Sequence, residues 1–260
     1  MDNASIMRTA LEQSAIDCCC SPEDFLCSEN SVFESVPSAG VRRYLELPNV
    51  LDLVSYGNGI VASCGKELMT PVRELLNGME NPYECFETPE MYVLNMLLAK
   101  YDAGICFMAE YFLPDVKQVY TQAGECGCEL RLLGPEAFAD LYTPEWSNAL
   151  CEKRRELDVL GVGAYSGGKL IGLAACSADC DTMWQIGVDV LPEYRKQGIA
   201  STITNRLARE IIRREKVPFY CAAWSNIRSV RNALKSGFRP AWVEVTAKPM
   251  AKIQSMLGAK

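Results

Sequence analysis

The spacing of apolar residues divides the chain into stretches with a helical period and stretches that alternate as strands do. Helix starts take one recurring form. "SPED" at Ser21, "TPEM" at Thr88 and "TPEW" at Thr143 each offer a Ser/Thr cap, a proline at the first helical position and an acid in the first turn. In the first half this predicts helices over Ala4–Ser14, briefly after Ser21, over Glu67–Leu76 and over Thr88–Lys100. "VLDLVSYGNGIVASC" predicts a hairpin, with Gly57, Asn58 and Gly59 supplying positive-φ turn residues between alternating strands. A strand is predicted near Ile105–Phe112, and "LPDVKQVYTQAGECG" reads as a seam between two halves, with room for a strand of its own.

The second half has a cleaner rhythm. "CELRLL" predicts a strand, with short helices after Pro135 and Thr143, and "DVLGVGAYSGGKLIGLAACSAD" predicts a hairpin turning at Ser166–Lys169. "TMWQIGVDV" alternates around Trp184, Ile186, Val188 and Val190 as a third strand. Ile199, Ile203, Leu207 and Ile211 then recur every fourth residue, drawing the buried stripe of a helix. "VPFYCAAW" is a buried strand, Ser225 is the expected cap of a helix ending at Gly237, and "AWVEVTAK" is a last strand. This order predicts a mixed α/β fold whose sheet is partly parallel across its helices.

One stretch, "VDVLPEYRKQGIASTI", joins a strand, a basic turn with one glycine and a helix start within sixteen residues. A helix entered directly from a strand aims unpaired N–H groups and its positive dipole end at whatever occupies the turn. Gly198 lets a ligand approach the backbone, and Arg195 and Lys196 add positive charge. The chemistry suits a pyrophosphate. The nucleotide P-loop pattern and G-x-G-x-x-G are both absent.

Composition narrows the function. With 260 residues and about half of them apolar, the chain has enough core for two domains, and no apolar run is long enough to cross a bilayer. "MDNASIMRTALEQSAID" lacks the layout of a signal peptide, so a soluble, cytoplasmic protein without membrane contact is expected. A net charge of −7 disfavours nucleic-acid binding and is compatible with a cationic substrate such as an amine. The 13 cysteines lack paired C-x-x-C spacing and the chain has no histidine, so buried thiols in a reducing compartment are expected and no metal. The missing histidine also leaves any general base to a carboxylate, thiolate, tyrosinate, water or the substrate itself.

Arg195, Gly198 and Ala200 resemble the [RQ]-x-x-G-x-[GA] signature of the GNAT superfamily of acyl-CoA-dependent N-acyltransferases. "AAWSNIRSVRNALKSGF" resembles that family's second signature through Asn226, Ser229, Lys235, Gly237 and Phe238. The order of elements from about Cys128 to Thr246 matches throughout. "EQSAIDCCCSPEDF" and "SYGNGIVAS" resemble the N-terminal region of two-part bacterial members, such as the zwittermicin-resistance-type acetyltransferases.

The resemblance implies two central strands that splay, with the pantetheine arm of acetyl-CoA pairing to backbone groups of Val188, Asp189 and Val190. It implies the pyrophosphate on the N–H groups of Arg195, Lys196, Gln197, Gly198, Ile199, Ala200 and Ser201. Asn226 reaches the cofactor arm, with Ser229 and Asn232 as further contacts, and N–H groups near Val190 polarise the thioester carbonyl. An amine attacks that carbonyl directly. Two departures stand out. The family's glutamate slot holds Trp184, with Gln185 beside it, and its tyrosine slot holds Ala233. Either proton carriers come from elsewhere (Asp189, Asp181, Tyr220 or a first-half carboxylate), or positioning and water suffice, or the protein binds acyl-CoA without transfer. A water chain to Asp189, the one candidate catalytic residue, is the preferred reading; Asp189 on a solvated strand face is its alternative.

The expected organisation is an N-terminal α/β domain over residues 1–124, a degenerate GNAT-like half in one reading, that completes the acceptor pocket or contacts a partner. A GNAT domain follows over 125–260. The implied activity is acetyl transfer from acetyl-CoA to the primary amine of a small molecule, by a monomer or homodimer. A non-catalytic acyl-CoA-binding regulator is the alternative.

Overall fold

The computed structural model describes residues 1–122 and 124–258. The chain forms two compact units, one from Met1–Ala10 with Phe112–Pro240 and the other from Leu11–Tyr111 with Ala241–Lys260. A single cut after residue 124 does not separate them. The strands β4 (Ala103–Pro114) and β10 (Phe238–Pro249), and the helix α1 (Asn3–Cys18), each have residues in both units.

The unit built on Phe112–Pro240 carries both sequence signatures. Its strands are β5 (Glu129–Leu133), β6 (Asp158–Ser166), β7 (Lys169–Ser177), β8 (Met183–Val190) and β9 (Val217–Ala222), side by side in the order β9-β8-β7-β6-β5. β5 to β8 are antiparallel neighbours, and β9 lies parallel to β8 after the crossover helix α5 (Ile199–Arg213). Ile199, Ile203, Leu207 and Ile211 are all buried against the sheet, together with Leu160, Val162, Ala174 and Ile186. The other face packs Leu173 and Ala175 under Phe138, Trp146 and Leu150, from short 3-10 turns at Pro135–Phe138 and Pro144–Trp146 and the segment that follows.

Two helices complete this unit: α4 (Val116–Thr121), where the sequence left room for a strand, and α6 (Ile227–Lys235). α4 forms because the Asp115 carboxylate accepts from the Gln118 N–H at 2.8 Å, a side-chain cap that the surrounding apolar residues conceal. Its end is held by buried Asn205, whose Nδ2 donates to the Val119 and Ser236 carbonyls at 2.9 and 3.0 Å. α6 is capped by Asn226 rather than Ser225. Its exit needs Gly237, which has φ +90° and lies so close to α4 that a Cβ would stand 2.7 Å from the Val119 nitrogen.

The other unit contains β1 (Ser31–Glu34), β2 (Leu51–Ser55) and β3 (Val61–Cys64), with α2 (Met69–Asn77), α3 (Glu90–Ala99) and α7 (Met250–Gly258). Its strands run β1-β3-β2-β10-β4. In the predicted hairpin only Gly57 has positive φ; Gly59 is needed because a Cβ there would strike the Glu29 carbonyl. Leu51, Leu53, Leu68, Val72, Leu94 and Leu98 form the core. Beside them sits a buried polar group. Arg42 pairs with Asp17 at 2.8 Å, and its guanidinium lies 5.5 Å from the centre of the Trp242 ring. Asp52 accepts from the Thr246 hydroxyl at 2.9 Å, and Glu244 is its diagonal neighbour across β2 and β10.

Burial pushes the Asp52 carboxyl well above the usual range, and the Glu244 charge adds to it; Glu244 is itself raised, by burial first. A carboxyl raised in the folded state adds stability in full below its unfolded pKa near 4 and loses it as pH climbs through the folded value. Asp52→Asn, which keeps an acceptor for Thr246, should therefore raise Tm by a few degrees at pH 8 and change little near pH 4. Scanning calorimetry at the two pH values checks this, and an equal effect at both would contradict it.

Candidate active site

The site grows from the edge of β8. On one side β8 pairs with β7 along its length, from Ser177↔Gln185 to Gly172↔Val190. On the other it pairs with β9 only from Met183↔Val217 to Ile186↔Tyr220. Among the described residues, Gly187 to Val190 therefore have a strand partner on one side alone. An unpaired strand edge offers main-chain donors and acceptors to an extended ligand. Val188, Asp189 and Val190 sit on this open stretch.

Just beyond, a short turn at Pro192–Tyr194 leads into α5. Arg195, expected to supply charge to the turn, instead donates from Nε to the Val190 carbonyl at 2.9 Å and ties the strand end to the turn. Lys196 and Gly198 both have positive φ, +64° and +80°, and Arg195 to Gly198 are exposed. A Cβ built on Gly198 meets no atom within 4 Å. The glycine is thus set by its backbone angle and by open space above it, and packing does not require it. The Gly198 carbonyl accepts from the Ser201 and Thr202 hydroxyls, each at 3.0 Å, which fixes the first turn. N–H groups of Ile199, Ala200 and Ser201 begin the helix, where donors have no intrahelical partner. Beside the turn, Cys126, Cys128, Tyr194 and Gln197 line a small cavity of about 130 Å³.

The second signature closes the other side of the fork. Asn226 Oδ1 accepts from the Ser229 N–H at 3.2 Å, so its side chain serves as the cap of α6. Ser229 Oγ lies 2.8 Å from the Tyr220 hydroxyl, and Asn232 donates to Thr204 Oγ1 at 3.1 Å. Tyr220 is the β9 residue at the last β8–β9 pair. Burial raises its pKa, with hydrogen bonds from Ser229 and Asn232 opposing, so it stays protonated at neutral pH. Trp184 is half-buried against the α5 side of the core, Ala233 is fully buried, and Asp181 is exposed in the turn before β8.

Strand alternation sends Asp189 to the opposite face, where it is fully engaged. Its Oδ2 accepts from the Asn148 and Ala149 N–H groups at 2.8 and 2.9 Å, and Oδ1 from Asn148 Nδ2 at 2.7 Å. The segment it holds crosses β8 directly over Gly187, where any Cβ would collide with the Asn148 carbonyl oxygen. Beside this crossing lies a cavity of about 200 Å³, lined in part by Cys151, Arg154, Asp158, Gln185 and Gly187. Asp158 escaped the sequence reading because an acid opening an apolar strand gives no local signal of burial. It is 2% exposed, and burial pushes its pKa up to about 6 against the lowering effect of hydrogen bonds from the Cys151 N–H and the Tyr142 side chain.

Among the described residues no group of three or more acidic, cysteine or histidine side chains could hold a metal, and no helix is long and apolar enough to cross a membrane. The described cysteines are free thiols. The fork, the glycine turn and the two signatures coincide with a family model for GNAT acetyltransferases that matches residues 103–241, over half of the chain. The chain belongs to the GNAT acetyltransferase family.

Solved structures similar to this GNAT chain include a GCN5-related N-acetyltransferase-like protein from Streptococcus suis (18% identity, TM-score 0.44, covering 62% of this chain and 69% of that one). A GNAT-family acetyltransferase from Colwellia psychrerythraea (18%, TM-score 0.44, covering 62% and 63%) is another. A tandem GNAT protein from the clavulanic acid biosynthesis pathway is a third (14%, TM-score 0.42, covering 60% and 57%). The chain spans about two thirds of the length of these structures or less. No curated protein matches it.

Asp189 holding three donors should make it a stability residue. Asp189→Ala is expected to cost about 2–3 kcal/mol, as hydrogen bonds to a charged acceptor do, and to show as a lower urea midpoint. A solvated strand-face aspartate would change it by no more than about 0.5 kcal/mol.

Proposed function

We propose that this GNAT protein moves an acetyl group from acetyl-CoA to the primary amine of a small molecule, with both held at once. The observation that carries the reading is the pairing of an open β8 edge, Gly187 to Val190, with a helix start whose glycine has nothing within 4 Å of a built Cβ. Strand edge, positive-φ turn and helix N-terminus suit in turn an amide-bearing arm, a close approach and a diphosphate.

Acetyl-CoA supplies an acyl carbon activated as a thioester. The protein's part is to hold it and to manage protons. Backbone groups of Val188, Asp189 and Val190 bind the arm, and the N–H groups from Lys196 to Ser201 bind the diphosphate. Arg195 keeps the strand end and the turn in register. Asn226, Ser229 and Asn232 set the position of α6 at the mouth of the fork. Tyr220, protonated and hydrogen-bonded to Ser229, stands where the strands part and is the hydroxyl suited to protonate a departing thiolate. It takes the role that Ala233 cannot. Asp189 acts as a positioning residue through Asn148 and Ala149.

The alternative, a regulator that binds acyl-CoA without turnover, is favoured by Trp184 and Ala233, neither of which can carry a proton. Thermal unfolding with and without acetyl-CoA, run beside Gly198→Glu, tests the cradle. Ligand at about 100 times its Kd adds about 2.7 kcal/mol and raises the midpoint by several degrees. The shift should vanish in the variant. No shift in the wild type at millimolar acetyl-CoA would overturn both readings, and a shift without turnover on an amine panel would favour the regulator.

A further inference from the structure

The small cavity of about 130 Å³ beside the glycine turn is lined by Tyr194, Gln197 and Ile199, from the turn and helix start, and by Cys126, Gly127 and Cys128, which precede β5. The strap that carries these cysteines is fixed at both ends. At Gly124 it lies against the first turn of α5, where a built Cβ would stand 2.9 Å from Thr202 Oγ1, the hydroxyl that donates to the Gly198 carbonyl. From Glu129 onward it is β5, paired with β6 at Glu129↔Tyr165. The strap therefore touches the same helix start that holds the glycine turn in shape.

The chain bends at Gly127 and Cys128, which brings the two thiols together. Burial first, and then the Cys126 side chain beside it, push the Cys128 thiol up to about 11. Both cysteines are half-buried, with exposed Gly127 between them, and a Cβ built on Gly127 meets no atom within 4 Å. The linking residue thus has both conformational freedom and open space, which a bond between its neighbours needs. Other thiols of the chain are placed differently. Cys18, Cys64, Cys85, Cys176 and Cys180 are buried, where a thiol is inert, and exposed Cys27 donates to the Glu23 carbonyl.

We propose that Cys126 and Cys128 are a reversible redox pair, closing to a disulfide by exchange with a low-molecular-weight disulfide, and that closure weakens the cradle at Gly198. The coupling rests on the acyl-CoA reading of that cradle; the disulfide does not. One protein sulfur, as its thiolate, attacks a sulfur of the small disulfide and expels one thiolate. The second protein sulfur, as its thiolate, attacks the mixed disulfide and expels the other. The protein pair loses two electrons and two protons, and the small disulfide takes up both to become two thiols. A bond across Cys126, Gly127 and Cys128 closes a small, strained ring, which belongs to the labile class of disulfides that thiols readily reopen. Closure draws in a strap held at Thr202 and at β5, and so reshapes the wall shared with Tyr194, Gln197 and Ile199. A ligand whose diphosphate lies on this helix start therefore binds the open form better and, by linkage, opposes closure.

Trypsin releases one peptide, Gln118–Arg131, that contains both of these cysteines and no other. The full-length wild type is reduced, incubated with glutathione disulfide, blocked with iodoacetamide and digested without reductant. By mass spectrometry the peptide should be unalkylated and lighter by two hydrogens, and dithiothreitol should restore both alkylation sites. Double alkylation, or glutathione left on one sulfur with the other alkylated, would overturn the pair. The thermal shift by acetyl-CoA should be largely lost in the oxidised wild type and return after dithiothreitol and desalting. In a Cys126→Ser/Cys128→Ser variant the shift should be indifferent to glutathione disulfide, which excludes the other thiols as the cause. An equal shift in the open and closed wild type would overturn the coupling alone. No shift in the reduced wild type would overturn the acyl-CoA reading and the coupling with it, while the peptide mass still decides the disulfide. Should the double variant fail to fold, the loss and return of the shift in the wild type, followed beside the mass of this peptide, carry the same decision.

Discussion

The parting of β8 from β9 after Ile186↔Tyr220 is the constraint on which the rest of the site depends. Two parallel strands joined by a crossover helix would ordinarily continue their ladder, since an unmade backbone hydrogen bond in a sheet interior is costly. Here β8 keeps β7 to its end and gives up β9, so one strand has a conventional side and an open side. The surrounding residues maintain that opening. Arg195 fastens the end of β8 through the Val190 carbonyl, and Ser229 and Asn232 fasten α6 to Tyr220 and Thr204. Gly198 takes a positive φ at the head of α5 that a side chain would strain.

The period of two along β8 lets the same strand serve two faces. Ile186, Val188 and Val190 belong to the α5 side of the core, while Asp189 reaches the other side and holds the loop over Gly187. Main-chain groups at the edge and side chains on the faces thus do separate tasks within four residues. A one-residue slip of β8 against β7 would move Asp189 off Asn148 and put a side chain beneath the crossing.

Much of this was legible in the sequence where the signal is local. The four-residue spacing of Ile199 to Ile211 places α5 correctly, and the hydrophobic alternation from Met183 places β8. The glycine turn is legible because positive φ, exposure and a following helix all leave marks on residue type. What is not legible locally is what depends on distant chain. Asp189 reads as a base or a solvated residue until Asn148, forty-one positions away, is brought beside it. Asp158 gives no sign of burial until Cys151 and Tyr142 fold over it. Ser225 and Asn226 are both fair caps by type, and only the dihedral path decides for Asn226. The contact units likewise cut across the expected boundary after residue 124, because β4 and β10 carry residues of both units and contact, not composition, defines a unit.

Proton management follows from an absence visible in composition. The chain has no histidine, so it has no side chain whose ordinary pKa lies between 5 and 8. One way to make a group that exchanges protons near neutrality is to move a carboxyl upward by burial. Burial alone does not confer the role. Asp52 and Glu244 are raised within a buried polar group with one another's charge nearby, and neither lines either of the two cavities described above. Asp158 is raised more moderately, because its hydrogen bonds still favour the charged form, and a cavity passes beside it. Of these three raised carboxyls, Asp158 alone lines one of the two cavities described.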